Sequence, residues 1–284
     1  MILVTGATGT VGGEVVRRLS AKGEAVRAVV RDPEKAASLA LPHVEVVEGD
    51  FDRPETMEAA FDGVQRAFLA TSSSERTEAQ QIAFAEAARK RGVAHVVKLS
   101  QLGADAQSEG RFQRYHAVVE EAIQALGLAF TFLRPNLFMQ GLLNFTPTIK
   151  AKGAFFAAAG DARVSLIDIR DLADVAVAAL TASGHEGKIY DLTGPEAITH
   201  NEMALGLSAA LGRPIAYVDV PPEALRNTLI HVGFPAWQAD GLLEEYAMYR
   251  RGEAAVVESG VQDVLGRAPR RFEAFAREYA PMFS

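Results

Sequence analysis

The first dozen residues constrain this chain more than any other stretch. Residues 1–5 read MILVT, a short apolar run, and Gly6-Ala7-Thr8-Gly9-Thr10-Val11-Gly12 follows at once. A strand that ends in a glycine-rich turn and opens into a helix is a recipe for gripping a pyrophosphate. The first glycine makes the tight turn and the second lets backbone N–H groups approach the phosphates. The third lets the helix pack close to the sheet, with its positive end aimed at the anion. The motif predicts a bound dinucleotide held by Gly6, Thr8, Gly9, Thr10, Val11 and Gly12.

Downstream, apolar runs and helical patterns alternate. Residues 10–22 place Val11, Val15, Val16 and Leu19 on one helical face; strands are expected at 25–31, 44–48, 65–71, 94–100 and 129–134. Between them lie helical stretches at 33–39, 54–61, 77–91 and 110–126, the last two closed by Gly92 and Gly127. That rhythm predicts an α/β fold, a doubly wound parallel sheet with right-handed crossovers and a ligand cleft at the carboxyl ends of its strands. The rhythm breaks after Pro135. The expected division is a nucleotide-binding domain over 1–135, its sheet completed by about 164–194, and a smaller, mostly helical substrate lobe over 136–163 and 195–284. Thr199 and Glu202 form a capping box ahead of Met203 and Leu207.

Composition narrows the function classes. A net charge of −7 argues against a nucleic-acid-binding surface, with Arg250-Arg251 and residues 267–271 the basic stretches to inspect. The absence of cysteine excludes disulfides, thiolate metal sites and a cysteine nucleophile, and fits a cytoplasmic location. The longest uncharged run, 135–149, is too short to span a membrane, and no basic leader precedes the first strand, so no secretory signal is expected. No spacing of His, Asp and Glu suits a metal.

The residue ending strand two reads the adenosine ribose. An acid there accepts from both hydroxyls of NAD, whereas a cation accommodates the extra phosphate of NADP. Arg31 holds that position, followed by Asp32, which favours NADP(H) over NAD(H). Asp50 and Phe51, after strand three, are candidates for the adenine edge. Ala70, Thr71 and Ser72 are small enough to let the dinucleotide pass the end of strand four.

With those residues in place, the chain resembles the NmrA-like atypical branch of the short-chain dehydrogenase/reductase superfamily. That group includes NADPH-dependent quinone oxidoreductases and triphenylmethane dye reductases. The stretches that carry the resemblance are VTGATGTVG (4–12), VRAVVRDPEKA (26–36), VEGDFDRPETMEAAFDGV (47–64), HAVVEEAIQALGLAFTFLRPNLFMQ (116–140) and GRAPRRFEAFARE (266–278). It implies a Rossmann sheet, an NADP(H) cofactor and an oxidoreductase with a small-molecule electron acceptor. It also implies that Pro135, Asn136 and Leu137 pass the nicotinamide carboxamide.

The superfamily's proton-donating Tyr-x-x-x-Lys departs here. Phe112 stands at the tyrosine position and His116 at the lysine position, and Val119 sits four residues after Tyr115. Phenylalanine transfers no proton. A strong acceptor such as a quinone or a cationic dye takes hydride without prior protonation, so the expected function is NADPH-dependent reduction of a quinone-like or other conjugated acceptor. His116 is the candidate to contact the nicotinamide ribose or to deliver a proton near neutral pH. Lys98 and Ser100 end strand five beside the nicotinamide position, Ser100 as a group that orients substrate. Gln101, Phe138 and Met139 are candidates for the acceptor pocket. Two alternatives share the motifs: an NADP-sensing regulator without turnover, and a nucleotide-sugar epimerase, whose chemistry leans on the missing tyrosine–lysine pair.

Overall fold

Short β-branched runs flanked by amphipathic segments set the architecture. A computed structural model describes residues 1–284, Lys35 by its backbone alone. In chain order the elements begin with β1 (Ile2–Val4), α1 (Thr10–Ala21), β2 (Val26–Val30), β3 (Val44–Glu48), α2 (Pro54–Glu58), β4 (Arg66–Leu69) and α3 (Thr77–Lys90). They continue with β5 (His95–Leu99), α4 (Arg111–Ala125), β6 (Ala129–Pro135), α5 (Thr146–Lys152), β7 (Ala154–Ala157), β8 (Arg163–Val164), α6 (Ile169–Thr181) and β9 (Lys188–Leu192). The last are β10 (Ile198–Thr199), α7 (His200–Leu211), β11 (Ala216–Asp219), α8 (Pro222–His231), α9 (Ala236–Arg250), α10 (Gly260–Leu265) and α11 (Phe272–Phe283).

The chain divides into two units. The first comprises Met1–Ser108, Phe112–Arg134 and Ile169–Tyr190; the second comprises Glu109–Arg111, Pro135–Asp168 and Asp191–Ser284.

The first unit is built on a seven-stranded sheet of order β3-β2-β1-β4-β5-β6-β9, with β1 to β6 paired in parallel. Neighbouring residues Leu3 and Val4, Val96 and Val97, and Phe132 and Leu133 are all fully buried. Adjacent strand residues point to opposite faces, so both faces are covered, as a parallel sheet requires. On one face Leu3, Leu69, Val96 and Phe132 pack with Phe61, Phe84, Val119 and Ile123. α1 and α6 pack against each other and are joined by Arg18 Nε to Asp174 Oδ1 at 2.7 Å. The chain runs outward from β1 to β3 and then restarts on the other side of β1 with β4. The order therefore reverses between β1 and β4, which is where a doubly wound sheet opens a crevice at its carboxyl edge.

The second unit has its own core, which includes Phe155, Leu207, Phe275 and Phe283, all fully buried. The capping box forms: Glu202 N–H donates to Thr199 Oγ1 at 3.1 Å and Thr199 N–H donates to Glu202 Oε2 at 2.7 Å. Three expectations change. The 33–39 stretch is two 3-10 turns rather than one helix, the first capped by Asp32, which accepts from Glu34 N–H. Of 164–194, Lys188–Leu192 alone adds a strand to the large sheet; β8 pairs antiparallel with β10 instead. The region after Thr199 also holds a strand that the helical reading missed, β11, parallel to β7.

Candidate active site

The glycine turn sits at the reversal point. Thr5 Oγ1 donates to Ala70 O (2.9 Å) and accepts from Ala70 N–H (2.9 Å), stitching the end of β1 to the end of β4. Gly6 has φ +60°, and a Cβ there would meet Ala70 O at 3.0 Å. A Cβ on Gly12 would stand 2.2 Å from Gly6 O, so α1 reaches this close to the turn only without a side chain. Gly9 caps α1 in an extended conformation, and Thr8, Gly9 and Thr10 are exposed. The first N–H groups of α1 have no partner within the helix and point outward with the positive end of its dipole. The donor set and the glycine cradle fit a dinucleotide diphosphate.

At the end of β2, Arg31 is exposed and its guanidinium makes no hydrogen bond or ion pair among the described residues. Asp32 is turned to the backbone of the following 3-10 turn. Asp50 accepts from Asp52 N–H (3.0 Å) and faces Arg53 Nε at 3.5 Å. The Phe51 ring packs toward Phe84, centroids 6.0 Å apart, and joins the core of the first unit. Thr71 Oγ1 accepts from Gln81 Nε2 at 2.8 Å, and Ser72 O accepts from Thr77 Oγ1 at 2.9 Å, which fixes the backbone past β4.

The ends of β5 and β6 and the inner face of α4 hold a buried polar cluster. Lys98 is fully buried, with Nζ 2.7 Å from Nδ1 of His116 and 3.3 Å from Leu99 O. Burial pulls the Lys98 ammonium down to about 7, while Glu120 favours its charge and Arg134 opposes it. His116 is held well below the usual histidine range by burial first and by the positive charges of Lys98 and Arg134 after it. It is therefore neutral near pH 7, so a proton that it delivers there comes from the neutral ring. The Ser100 hydroxyl donates to Glu120 Oε1, so it offers a ligand only its lone pairs. Glu120 in turn takes two bonds from Arg134, Nε to Oε1 at 3.0 Å and Nη2 to Oε2 at 2.5 Å.

Tyr115 lies over His116, ring centroids 4.2 Å apart, and its hydroxyl is 3.1 Å from Ser73 Oγ, in the loop that follows β4. Phe112 is buried with its ring edge toward Tyr115. Sequence reasoning missed Glu120 and Arg134. The signal was present, since Glu120 follows Val119 on the face that also carries Phe112, His116 and Ile123, and a carboxylate there needs a buried cation.

The remaining predicted residues belong to the second unit, except Gln101, a half-buried residue in the turn after β5. Asn136 anchors its own loop: Nδ2 donates to Ser165 Oγ (2.8 Å) and Ala254 O (2.9 Å), and Oδ1 accepts from Leu137 N–H. Leu137 O accepts from Ile167 N–H at 2.9 Å, Pro135 is buried and Phe138 half-buried. Met139, expected at the acceptor pocket, is instead core: it is 1% exposed and packs with Leu142 and Leu166. In the basic stretches Arg250 pairs with Asp219 at 3.0 Å, Arg251 with Glu253 at 2.5 Å and Arg271 with Glu196 at 2.8 Å. Among the described residues no three His, Asp or Glu side chains converge as a metal ion would need, and no helix is long and apolar enough to cross a membrane.

Residues 1–276 match the NmrA-like family. The NAD(P)H azoreductase of Xenophilus azovorans is 39% identical over 283 residues, covering 100% of this chain and 99% of that protein. The (4-alkanoyl-5-oxo-2,5-dihydrofuran-3-yl)methyl phosphate reductase of Streptomyces griseus is 39% identical over 285 residues, covering 100% and 99%. Among solved structures, the NADPH-dependent quinone oxidoreductase of Escherichia coli complexed with NADPH matches with a TM-score of 0.87 at 27% identity, over 98% of this chain and 99% of that one.

Proposed function

Because this chain belongs to the NmrA-like family, we propose that it uses NADPH to reduce small, electron-poor acceptors with conjugated unsaturation. The observation that carries the reading is the glycine cradle at the β1–β4 reversal, with the exposed Arg31 at the end of the neighbouring strand. Gly6 to Gly12 and the first N–H groups of α1 would hold the diphosphate. Arg31 would fork onto the ribose phosphate that distinguishes NADPH from NADH. The small residues Ala70, Thr71 and Ser72 give the dinucleotide room beside β4, and Lys98, Ser100 and His116 would border the nicotinamide end.

Bound NADPH supplies a hydride. The protein's part is to orient the acceptor and to supply a proton afterwards. Phe112, at the superfamily's proton-donor position, has nothing to donate, which selects acceptors that take hydride before protonation. The relatives reduce an azo compound, a quinone and an acyl-substituted oxodihydrofuran, each an electron-poor π-system.

The test is NADPH oxidation, followed by the loss of reduced-nicotinamide absorbance, with a simple benzoquinone, an azo dye and a conjugated enone. Turnover with at least one of these is expected. NADPH binding without turnover on any of them overturns the reading and leaves a cofactor sensor.

A further inference from the structure

The reading above leaves the reduced acceptor without a proton source, because Phe112 is silent and the Ser100 hydrogen is committed to Glu120. The buried cluster at the end of β5 offers one. Lys98 Nζ is enclosed, and its nearest basic atom is Nδ1 of His116 at 2.7 Å. An ammonium donates and does not accept, so Nδ1 must be the acceptor and the neutral ring must carry its hydrogen on Nε2. Nε2 has no hydrogen-bond partner among the described residues. The ring is held by Tyr115, which packs against it at a tilt of 36° and is tied to Ser73 in the loop after β4.

We propose that Lys98 and His116 form a proton relay: His116 Nε2–H protonates the reduced acceptor, and Lys98 restores the imidazole through Nδ1. This rests on the reductase reading. An acceptor that has gained a hydride carries an extra electron pair and one negative charge. The Nε2–H bond breaks as the acceptor forms its new bond to that proton. An Nζ–H bond of Lys98 breaks as Nδ1–H forms, so the imidazole stays neutral and switches tautomer. Lys98 is left as a neutral amine; once the product leaves, solvent protonates Nε2, the Nδ1–H bond breaks and its proton returns to Nζ, which restores the ammonium and the starting tautomer. Lys98 acts through His116 and is in that sense a positioning residue.

The charges around the pair suit that cycle. Glu120 and Arg134 neutralise each other beside Lys98, and among the described residues no carboxylate is paired with the ammonium itself. A Lys98 tied to its own carboxylate would hold its proton. Here burial brings it to about 7, while burial and the charges of Lys98 and Arg134 hold His116 well below the usual histidine range.

Two experiments decide it. In the cofactor-free protein, nitrogen NMR with labelled histidine should show the His116 Nδ1 as pyridine-type and Nε2 as pyrrole-type on the acid side. Both should then shift with a midpoint of about 7, although the ring itself gains no charge. In Lys98→Met that step should vanish. Lys98→Arg keeps a cation that does not release its proton. It should lower kcat by about 100-fold with little change in KM for NADPH, flatten the pH profile and raise the solvent deuterium isotope effect. A His116 protonated on Nδ1 and bare on Nε2 at acid pH overturns the relay, and the wild-type spectrum suffices to see it. So does a Lys98→Arg enzyme with parental kcat. Absence of turnover with every acceptor sinks the reductase reading and the relay with it. Turnover with the wrong tautomer sinks the relay alone.

Discussion

Gly12→Ala separates a cofactor cradle from an ordinary strand–helix turn. The new Cβ would lie 2.2 Å from Gly6 O and 2.7 Å from Gly6 C, both backbone atoms that cannot rotate aside. Relief requires α1 or the turn to retreat by about 1 Å, an overpacking strain of about 1–3 kcal/mol. The same retreat stretches N–H···O contacts at the helix start from about 2.9 Å to beyond hydrogen-bonding range. Losing charge-assisted bonds worth about 3 kcal/mol in total weakens binding by about 100-fold. NADPH affinity should be measured by calorimetry or nicotinamide fluorescence, with circular dichroism melting as the check on folding. Gly141→Ala, where an added Cβ meets nothing within 4 Å, is the control and should bind like the parent. A folded Gly12→Ala protein that binds NADPH as tightly as the parent would refute the cradle.

Three further expectations follow from the structure. Arg31→Ala removes a side chain with no hydrogen-bond or ion-pair partner among the described residues, so melting should hold; NADPH affinity should fall by about 10-fold or more while NADH affinity stays put. Glu120→Gln leaves Arg134 without its carboxylate in a buried site, and urea unfolding should show a loss of about 3–5 kcal/mol, partly recovered in the Glu120→Gln/Arg134→Met double variant. His200 is buried among Phe155, Tyr217 and Tyr246, and desolvation holds it down to about 4, against the opposing pull of Asp219. The folded state keeps it neutral while the unfolded chain protonates it. Its contribution is therefore complete above about pH 6.5 and is lost as pH falls toward 4, to about 3 kcal/mol. His200→Phe should flatten that acid limb of the urea-stability profile.

The parts legible in the sequence are those written locally. The strand–turn–helix at residues 1–12, the strands through β6 and the Thr199–Glu202 box depend on residues a few positions apart, and the structure reproduces them within a residue or two. What escaped is set by distant partners. β11 is a short exposed strand whose reason to exist is β7, and β8 spans two residues that β10 defines. Met139 follows a family loop and was assigned to a pocket, yet it fills the core made by α7 and α11 residues far along the chain. Lys98 and Glu120 lie in between. A lysine inside the apolar run HVVKL and a glutamate on the inner stripe of α4 each announce a buried partner, but the pairing with His116 and Arg134 needs the strand and helix to be laid side by side.

The most direct test is a single turnover with NADPH deuterated at the transferring position and a benzoquinone in excess. Stoichiometric formation of NADP and hydroquinone is expected, slower with deuterium than with hydrogen. Cofactor that stays bound and reduced, or a rate blind to the isotope because electrons take another route, would contradict hydride transfer by this protein.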